Sequence, residues 1–457
     1  MGNDIGIDGA ATETIPRAPG GRPVMGHTWN LLRNPQGFLD SLPADGELME
    51  VRFGKIRTVL VCDAELTRQV LRDDRTFDKG GLLWDSARRE VVGNTLAACP
   101  RALHRRQRRL TQPAFHRSRL RDYVATMAVH TTAACDSWRE GQVLDVIPEM
   151  QKISLQNLTS ALLGRALSQE SLAIITRDVN TILANIYRRA LIPPLVKRIP
   201  TLGNLRYKQA QDRLRSSVND FIAERRDGID RGDLLSALLA ARDPEGDCDQ
   251  GFTDAEARDQ AFTFFIAGTE TTATTLAWTL HLLARHPAVQ ARLHAEVDSV
   301  VGTGPVDLDH LDRLEFTGRV VTESLRLCPP PWFLSRITTS DTRLGRYHLP
   351  AGTTVFFSSY LLHRRNGLYD FPARFDPDRW DPASPQPARA AYIPFGAGPR
   401  KCIGDEFGRT EAILVLATIA ARWRLDHPPG ADVRPKMALT FHPARLRLRA
   451  TRRTGTP

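Results

Sequence analysis

With 457 residues, 42% of them hydrophobic and 25% charged, the chain is long enough to bury a large core and has the make-up of an ordinary globular protein, which excludes collagen, coiled coil and wholesale disorder. Length alone would suggest roughly two or three domains. The formal net charge of +10 is dispersed among acidic residues, apart from short runs such as His104-Arg-Arg-Gln-Arg-Arg109, so it argues against a nucleic-acid surface and for an acidic protein partner.

Residues 1–24 contain no apolar run of signal-peptide or anchor length, which points to the cytoplasm with no membrane anchor. The six cysteines (Cys62, Cys99, Cys135, Cys248, Cys328, Cys402) are too sparse for a disulfide scaffold and form no C-x-x-C pair, so a reducing compartment is expected. Pro16-Arg-Ala-Pro-Gly-Gly-Arg-Pro23 reads as an extended lead-in, with structure beginning after it. Leu48–Phe53 and Arg57–Cys62, joined by Gly54-Lys-Ile, alternate apolar and polar residues as a hairpin does.

From about 104 to 300 helical patterns dominate, broken at Pro193-Pro194 and between Arg242 and Gly251. Strand-like sequence returns over 333–360, Phe371 to Pro387 reads as coil, and a last helix follows Cys402. No repeat of solenoid period occurs. The expected fold is mainly α with a minor β component near the two ends, organised as a lead-in over 1–24, one domain over 25–450 and a tail over 451–457.

Phe395-Gly-Ala-Gly-Pro-Arg-Lys-Cys-Ile-Gly404 cannot be a regular helix, whereas Asp405 to Arg422 has an apolar stripe of helical spacing. Cys402 therefore sits on a tight loop before a helix start, where free N–H groups and the helix dipole favour an anion, here a metal-binding thiolate. Gly398 and Gly404 would let a flat ring system approach the backbone, and Arg400 is placed to meet an acidic group. A buried structural cysteine is the plain alternative. Phe395, Gly398, Arg400, Cys402 and Gly404 resemble the ligand-loop signature of the cytochrome P450 family. That resemblance implies a triangular helical prism with small sheets, haem b between the long central helix and the Cys loop, and Cys402 as the axial thiolate of the iron, which favours O–O cleavage.

Residues 261–284 carry one charged residue, Glu270, in an apolar and hydroxylic run. Gly268 and seven threonines suit a buried core helix better than lipid. Glycine in mid-helix costs about 1 kcal/mol relative to alanine, so Gly268 points to close approach of another group. Threonine hydroxyls can open the helix ladder locally, or simply bond their own backbone. Ala267-Gly-Thr-Glu-Thr-Thr272 resembles the family's acid/alcohol pair, Glu270 being the acid and Thr271 the alcohol. Reduction of dioxygen to water needs protons delivered beside it, which a carboxylate and an oriented hydroxyl supply.

Glu323 and Arg326 share one face of a helix that must end near Pro329. They match the family's Glu-x-x-Arg motif, and Phe375-Asp-Pro-Asp-Arg379-Trp supplies its arginine partner, so Glu323, Arg326 and Arg379 are assigned a structural role beneath the haem. His104 and Arg108 lie four apart on one helical face, either as a solvated basic face or, by resemblance, as haem-propionate contacts joined by Arg336. Arg105, Arg106 and Arg109 are left to recognise an acidic redox partner.

The resemblance covers nearly the whole chain and leaves no room for an attached reductase. It implies a monomeric monooxygenase using O2 and electrons from a ferredoxin and its NAD(P)H-dependent reductase. The expected pocket is apolar: Gly80-Gly-Leu-Leu-Trp84, Ile182 to Leu195, Phe262, Ile266, Ala267 and Trp332-Phe333-Leu334, which favours a hydrocarbon-like substrate. Phe77 to Gly81, His104 to Phe115 and Tyr187-Arg-Arg189 resemble bacterial sesquiterpene oxygenases of the pentalenene oxygenase kind, implying oxidation of a terpene in secondary metabolism. Fatty acids, steroids and polyketides are the alternatives, as are a peroxide-driven oxygenase and a non-catalytic haem sensor. Asp227-Gly-Ile-Asp230 and Asp233 form no Asp-Asp-x-x-Asp run, so no metal-dependent terpene cyclase activity is expected.

Overall fold

The computed structural model describes residues 13–43, 46–191, 199–225, 231–243, 251–302 and 304–453. The expected hairpin forms: β1 (Leu48–Phe53) and β2 (Ile56–Val61) pair antiparallel from Leu48↔Val61 to Phe53↔Ile56. β2 then runs parallel to β8 (Thr354–Phe357), which pairs with β5 (Leu334–Thr338), and β5 with β3 (Phe77–Asp78), giving the order β1-β2-β8-β5-β3. The proline-rich lead-in is part of this edge rather than a passive leader. Glu50 N donates to Pro16 O at 2.7 Å and Ala18 N to Glu50 O at 3.0 Å, because β1 has an unpaired side that an extended segment can satisfy.

The Asp254–Arg285 helix is the axis of the molecule. Its start is fixed by a capping box in which Thr253 and Glu256 satisfy each other's backbone N–H groups. At 32 residues it spans about 48 Å, and it ends where His286 precedes Pro287, a residue that disfavours the helical conformation before it. Buried residues occur along most of its length and around its circumference, from Ala257 to Leu283. Such a helix is held by neighbours on every side, chiefly the Val146–Leu163, Leu202–Ala223, Glu315–Leu327 and Asp405–Arg422 helices.

Among the described residues no helix is long and apolar enough to cross a membrane. The Glu315–Leu327 helix stops at Cys328, before the prolines, as its sequence requires. Beyond the Asp405–Arg422 helix, β9 (Trp423–Asp426) and β12 (Arg447–Arg452) join β4 (Val143–Asp145) in a three-stranded sheet. β6 (Thr342–Leu344) pairs with β7 (Tyr347–Leu349), and β10 (Pro435–Met437) with β11 (Phe441–Pro443), as two-stranded hairpins. β12 continues to Arg452, so ordered pairing runs past the expected domain end at 450.

Candidate functional site: an interior thiol, buried cations and a threonine-rich helix

The loop before the last helix is closed by its own backbone. Cys402 N donates to Phe395 O at 2.9 Å, Gly396 N to Ile393 O at 3.0 Å, and Gly398–Arg400 form a single 3-10 turn. Gly398 has φ +68, and a Cβ there would collide with Leu71 O. Its glycine is thus required by a left-handed turn against the Ala64–Arg72 helix. At Gly404 the nearest protein atom to an added Cβ is Phe115 Cε1 at 3.7 Å, so no other part of the chain crowds that position.

Cys402 presents accessible surface, yet desolvation is the largest influence on its thiol, raising its pKa, while the Gly404 N–H, Arg108 and Lys79 pull the other way. Accessible sulfur in a densely surrounded position belongs to a side chain lining an internal space. Backbone N–H of Gly404 and the nearby cations lean toward thiolate, as the helix start does, while burial opposes them; a coordinated metal would remove the proton outright.

Beneath the loop, Glu323 and Arg326 are both fully buried and joined through two bonds of 2.8 Å. Trp380 Nε1 donates to Glu323 Oε2 at 2.8 Å, Asp376 N to Oε1 at 3.1 Å, and Arg379 lies 3.6 Å from Oε1. Arg326 also donates to the carbonyls of His363, Pro372 and Arg374. His363, which the sequence did not single out, completes the link. Its Nε2 accepts from Ile393 N at 2.9 Å, so Nδ1 carries the proton donated to Arg326 O at 3.0 Å. Burial, then Arg326, pushes its pKa down to about 3, keeping the ring neutral. The ion pair is thereby tied to the residues that lead into the Cys loop.

Five basic side chains, Lys79, His104, Arg108, Arg336 and Arg400, act electrostatically on one another here. Arg400 pairs with Asp78 and donates to Cys99 O, while its buried Nε makes no hydrogen bond and has Asp74 Oδ2 at 3.9 Å. Arg336 is 4% exposed, donates to Ser335 O at 2.8 Å and lies over the Phe357 ring. Burial, then Arg400, lowers its pKa to about 10. Arg108 donates to Lys401 O, and Lys79 to Ala97 O. Among the described residues Lys79, Arg108 and Arg336 have no carboxylate within ion-pair distance.

His104 is buried, and desolvation followed by these cations pushes it down to about 3. So much buried positive charge without matching acid is costly unless an anion completes it. The orphan Arg400 Nε, the unpaired Arg336 and the interior-facing Cys402 suit a dianionic planar group with a metal at its centre, and the residues present fit haem. Lys79 had no sequence signal of its own. In the remaining basic run Arg106 pairs with Glu256 at 2.8 Å and Arg109 with the buried Asp243 at 2.9 Å, which leaves Arg105 as its most exposed member. Helical spacing turned two of the expected surface arginines inward.

On the central helix, Thr263, Thr269, Thr271, Thr275 and Thr279 each donate to the carbonyl four residues earlier. For Thr271 the acceptor is Ala267 O, at 2.8 Å. Ala267 is exposed between buried neighbours in mid-helix, which again marks an internal space. Gly268 faces Leu158, whose Cδ2 would lie 3.1 Å from an added Cβ, so the group it admits is the Val146–Leu163 helix. Glu270 Oε1 accepts from Thr440 Oγ1 at 2.6 Å and its Oε2 is buried without a partner. Desolvation raises its pKa, opposed by Thr440 and Lys436. A second buried carboxyl, Glu411, accepts from Asn157 Nδ2 at 3.1 Å and is raised by burial to about 8. It too escaped the sequence reading, because it sits unannounced in an apolar helix.

The residues expected to line an apolar pocket differ in how they are held. Trp84 and Phe333 are half-buried, with Trp84 Nε1 bonded to Ser335 O at 3.0 Å and Phe333 stacked on Phe356 at 4.6 Å. Phe262 is fully buried under Arg215, Ile266 is 7% exposed, and Trp332 is locked by Ala438 O. Phe262 and Trp332 are therefore wall supports rather than free lining. The side chains of Leu82 and Leu83, much of 182–195 and the Asp227–Asp230 segment lie outside the described residues. Asp233 caps the Leu234–Ala240 helix and pairs with Arg225, and no group of three metal-ligating side chains occurs among the described residues.

A family model described as Cytochrome P450 matches residues 16–449. The chain is 45% identical over 440 residues to the pentalenene oxygenase of Streptomyces avermitilis, covering 96% of this chain and 97% of that protein. It is 44% identical over 423 residues to the cyclooctat-9-en-7-ol 5-monooxygenase of Streptomyces melanosporofaciens, covering 92% and 91%. The crystal structure of the cytochrome P450DA heme domain superposes with a TM-score of 0.87 at 27% identity, covering 97% of this chain and 99% of that one.

Proposed function

This chain belongs to the cytochrome P450 family of haem-dependent monooxygenases, and on that premise we propose that it oxidises a terpene hydrocarbon, with Cys402 as the protein ligand of the iron. The observation that carries the substrate class is near-full-length similarity to two bacterial oxygenases named for terpene substrates. The half-buried Phe333 and exposed Ala267 agree with an apolar ligand.

Bound haem b supplies the iron at which dioxygen is reduced and one oxygen atom is passed to substrate. The chain's own residues do the rest. Cys402 would offer sulfur from a loop braced by Phe395 O, while Arg336, Arg108, His104 and Arg400, whose Nε makes no hydrogen bond, would hold the carboxylates of the group. Glu323, Arg326 and Arg379 keep the floor of the site rigid. Thr271 Oγ presents a hydroxyl, and beside it on the helix Glu270, whose carboxyl burial pushes above its ordinary range, would take up and hand on a proton. A haem sensor has no need of this pair. Electrons arrive from a redox partner; a ferredoxin with an NAD(P)H-dependent reductase, meeting a monomer in the cytoplasm through Arg105 and its surroundings, is the arrangement proposed.

The test is incubation of the purified holoprotein with ferredoxin, reductase and NADPH against a panel of terpene hydrocarbons, fatty acids, steroids and polyketides. Hydroxylated terpene is expected by mass spectrometry. Turnover confined to another class would replace the substrate, and turnover with peroxide alone would replace the electron source. An imidazole-type spectrum of the reduced carbon monoxide complex would sink Cys402 as the ligand.

A further inference from the structure

The strand pair β10–β11 is fastened hard against the central helix. Trp332 Nε1 donates to Ala438 O at 2.9 Å, Trp278 Nε1 to Phe441 O at 2.8 Å, and Phe441 N to Pro330 O at 2.9 Å. These bonds fix Thr440, which is 5% exposed, with its hydroxyl 2.6 Å from Glu270 Oε1 and 3.2 Å from His442 Nδ1. A hydroxyl has a single proton. With Glu270 ionised that proton points at Oε1, so His442 Nδ1–H is the donor in its contact with Thr440, shared between Oγ and the Thr440 carbonyl oxygen, each at 3.2 Å.

The result is an oriented chain of donors from a half-buried imidazole to a buried carboxylate. His442 Nε2 makes no hydrogen bond to described residues, so that nitrogen is open to exchange. Lys436 on β10 acts on both ends of the chain, and Arg364 lies over the Phe441 ring between them in sequence. The orphan Oε2 of Glu270 leaves the carboxyl free to turn about its last bond, so that a proton received on Oε1 can be carried to the unbonded position and released there.

We propose that His442 and Thr440 form the proton-entry route that refills Glu270 from solvent. A proton taken up at Nε2 makes the imidazole cationic. Nδ1 then releases its proton to Thr440 Oγ as the threonine proton passes to Glu270 Oε1. The imidazole is left neutral with its proton on Nε2, the threonine hydroxyl is restored, and the carboxyl is neutral. Exchange with water returns the ring to its Nδ1–H form. Thr440 and His442 are positioning residues that act through Glu270, and the proposal rests on Glu270 being the proton-holding acid of this site.

The experiment is infrared spectroscopy of the holoprotein at mildly acidic pH, following hydrogen–deuterium exchange of buried carboxylic acid bands without turnover. Glu270→Gln should remove one band and leave that of Glu411 as an internal reference. In Thr440→Val, which keeps shape and loses the hydroxyl, the Glu270 band should exchange about tenfold more slowly or worse, within the range a positioned proton relay commands. His442→Phe should behave alike, and Thr440→Ser should restore wild-type exchange. The Glu411 band should be unmoved throughout. In the same variants supplied with electrons, the peroxide formed per oxygen consumed should rise in parallel. If Glu270→Gln removes no band, the reading of Glu270 as the acid fails. If it does, and Thr440→Val exchanges at the wild-type rate, the route through the hairpin is overturned.

Discussion

Below Cys402, the carboxylate of Glu323 is fully buried and accepts from Arg326, Trp380 and the Asp376 N–H, with Arg379 alongside. On the opposite wall, the carboxylate of Glu270 has one bond from Thr440 and a buried oxygen with no partner. Both are acids out of water, supported in opposite ways. The first is saturated, which suits a group that must stay charged and still. The second is desolvated and under-satisfied, which raises its pKa, as the proton-handling role proposed for it requires. The number of donors each carboxylate meets thus separates a group suited to rigidity from one suited to reactivity.

The largest test of that contrast removes one partner of the saturated pair. Arg326→Met should lower unfolding free energy by about 3–5 kcal/mol, because Glu323 would stay buried without its two-bond partner and keep only Arg379, 3.6 Å away, as a cation. Denaturant titration measures it, and a loss under about 1 kcal/mol would show that the network is not what holds the floor.

The pH dependence of stability sharpens the same point. His363 is held neutral with a pKa of about 3 against 6.5 when free, so its contribution is intact above pH 6.5 and is lost as pH falls toward 3. Glu411 is held neutral with a pKa of about 8 against 4.5, so its contribution is intact below pH 4.5 and is lost as pH rises toward 8. Each group should change stability by about 1.4 kcal/mol per pH unit inside its window. His363→Gln should flatten the acid limb alone and Glu411→Gln the alkaline limb alone, read by thermal unfolding at fixed salt.

A smaller free-energy effect, with a clear functional sign, is expected on the reactive wall. Thr271→Ala loses a bond to Ala267 O and gains helix propensity, so stability should move by less than about 1 kcal/mol while product formed per NADPH falls about tenfold. Unchanged coupling would remove Thr271 from proton handling. Smallest of all, Arg105→Glu should slow reduction by an acidic partner a few-fold at low salt and hardly at all at high salt, the signature of steering.

Much of this was legible in local spacing. Glu323 and Arg326 are one helical turn apart, so their pairing follows from helix geometry; the Gly-Pro run before Cys402 could only be a loop ahead of a helix; the 48–61 hairpin followed from alternation. The meaning of individual groups was less legible. Gly398 answers to Leu71, and Gly268 to Leu158. Arg106 and Arg109, on a stretch that looks solvated, are held by acids about 140 residues away in sequence.

By itself, then, the amino-acid order determined where helices and loops begin, which cysteine stands on a loop, and which residues share a face, because those depend on neighbours within a turn or two. Only the tertiary structure decided which cations are left without acids, that His363 bridges the ion pair to the Cys loop, and that Glu270 meets Thr440 across 170 positions. Burial and long-range hydrogen bonding set the charge state of each of those groups, and neither is a property of a residue's local sequence.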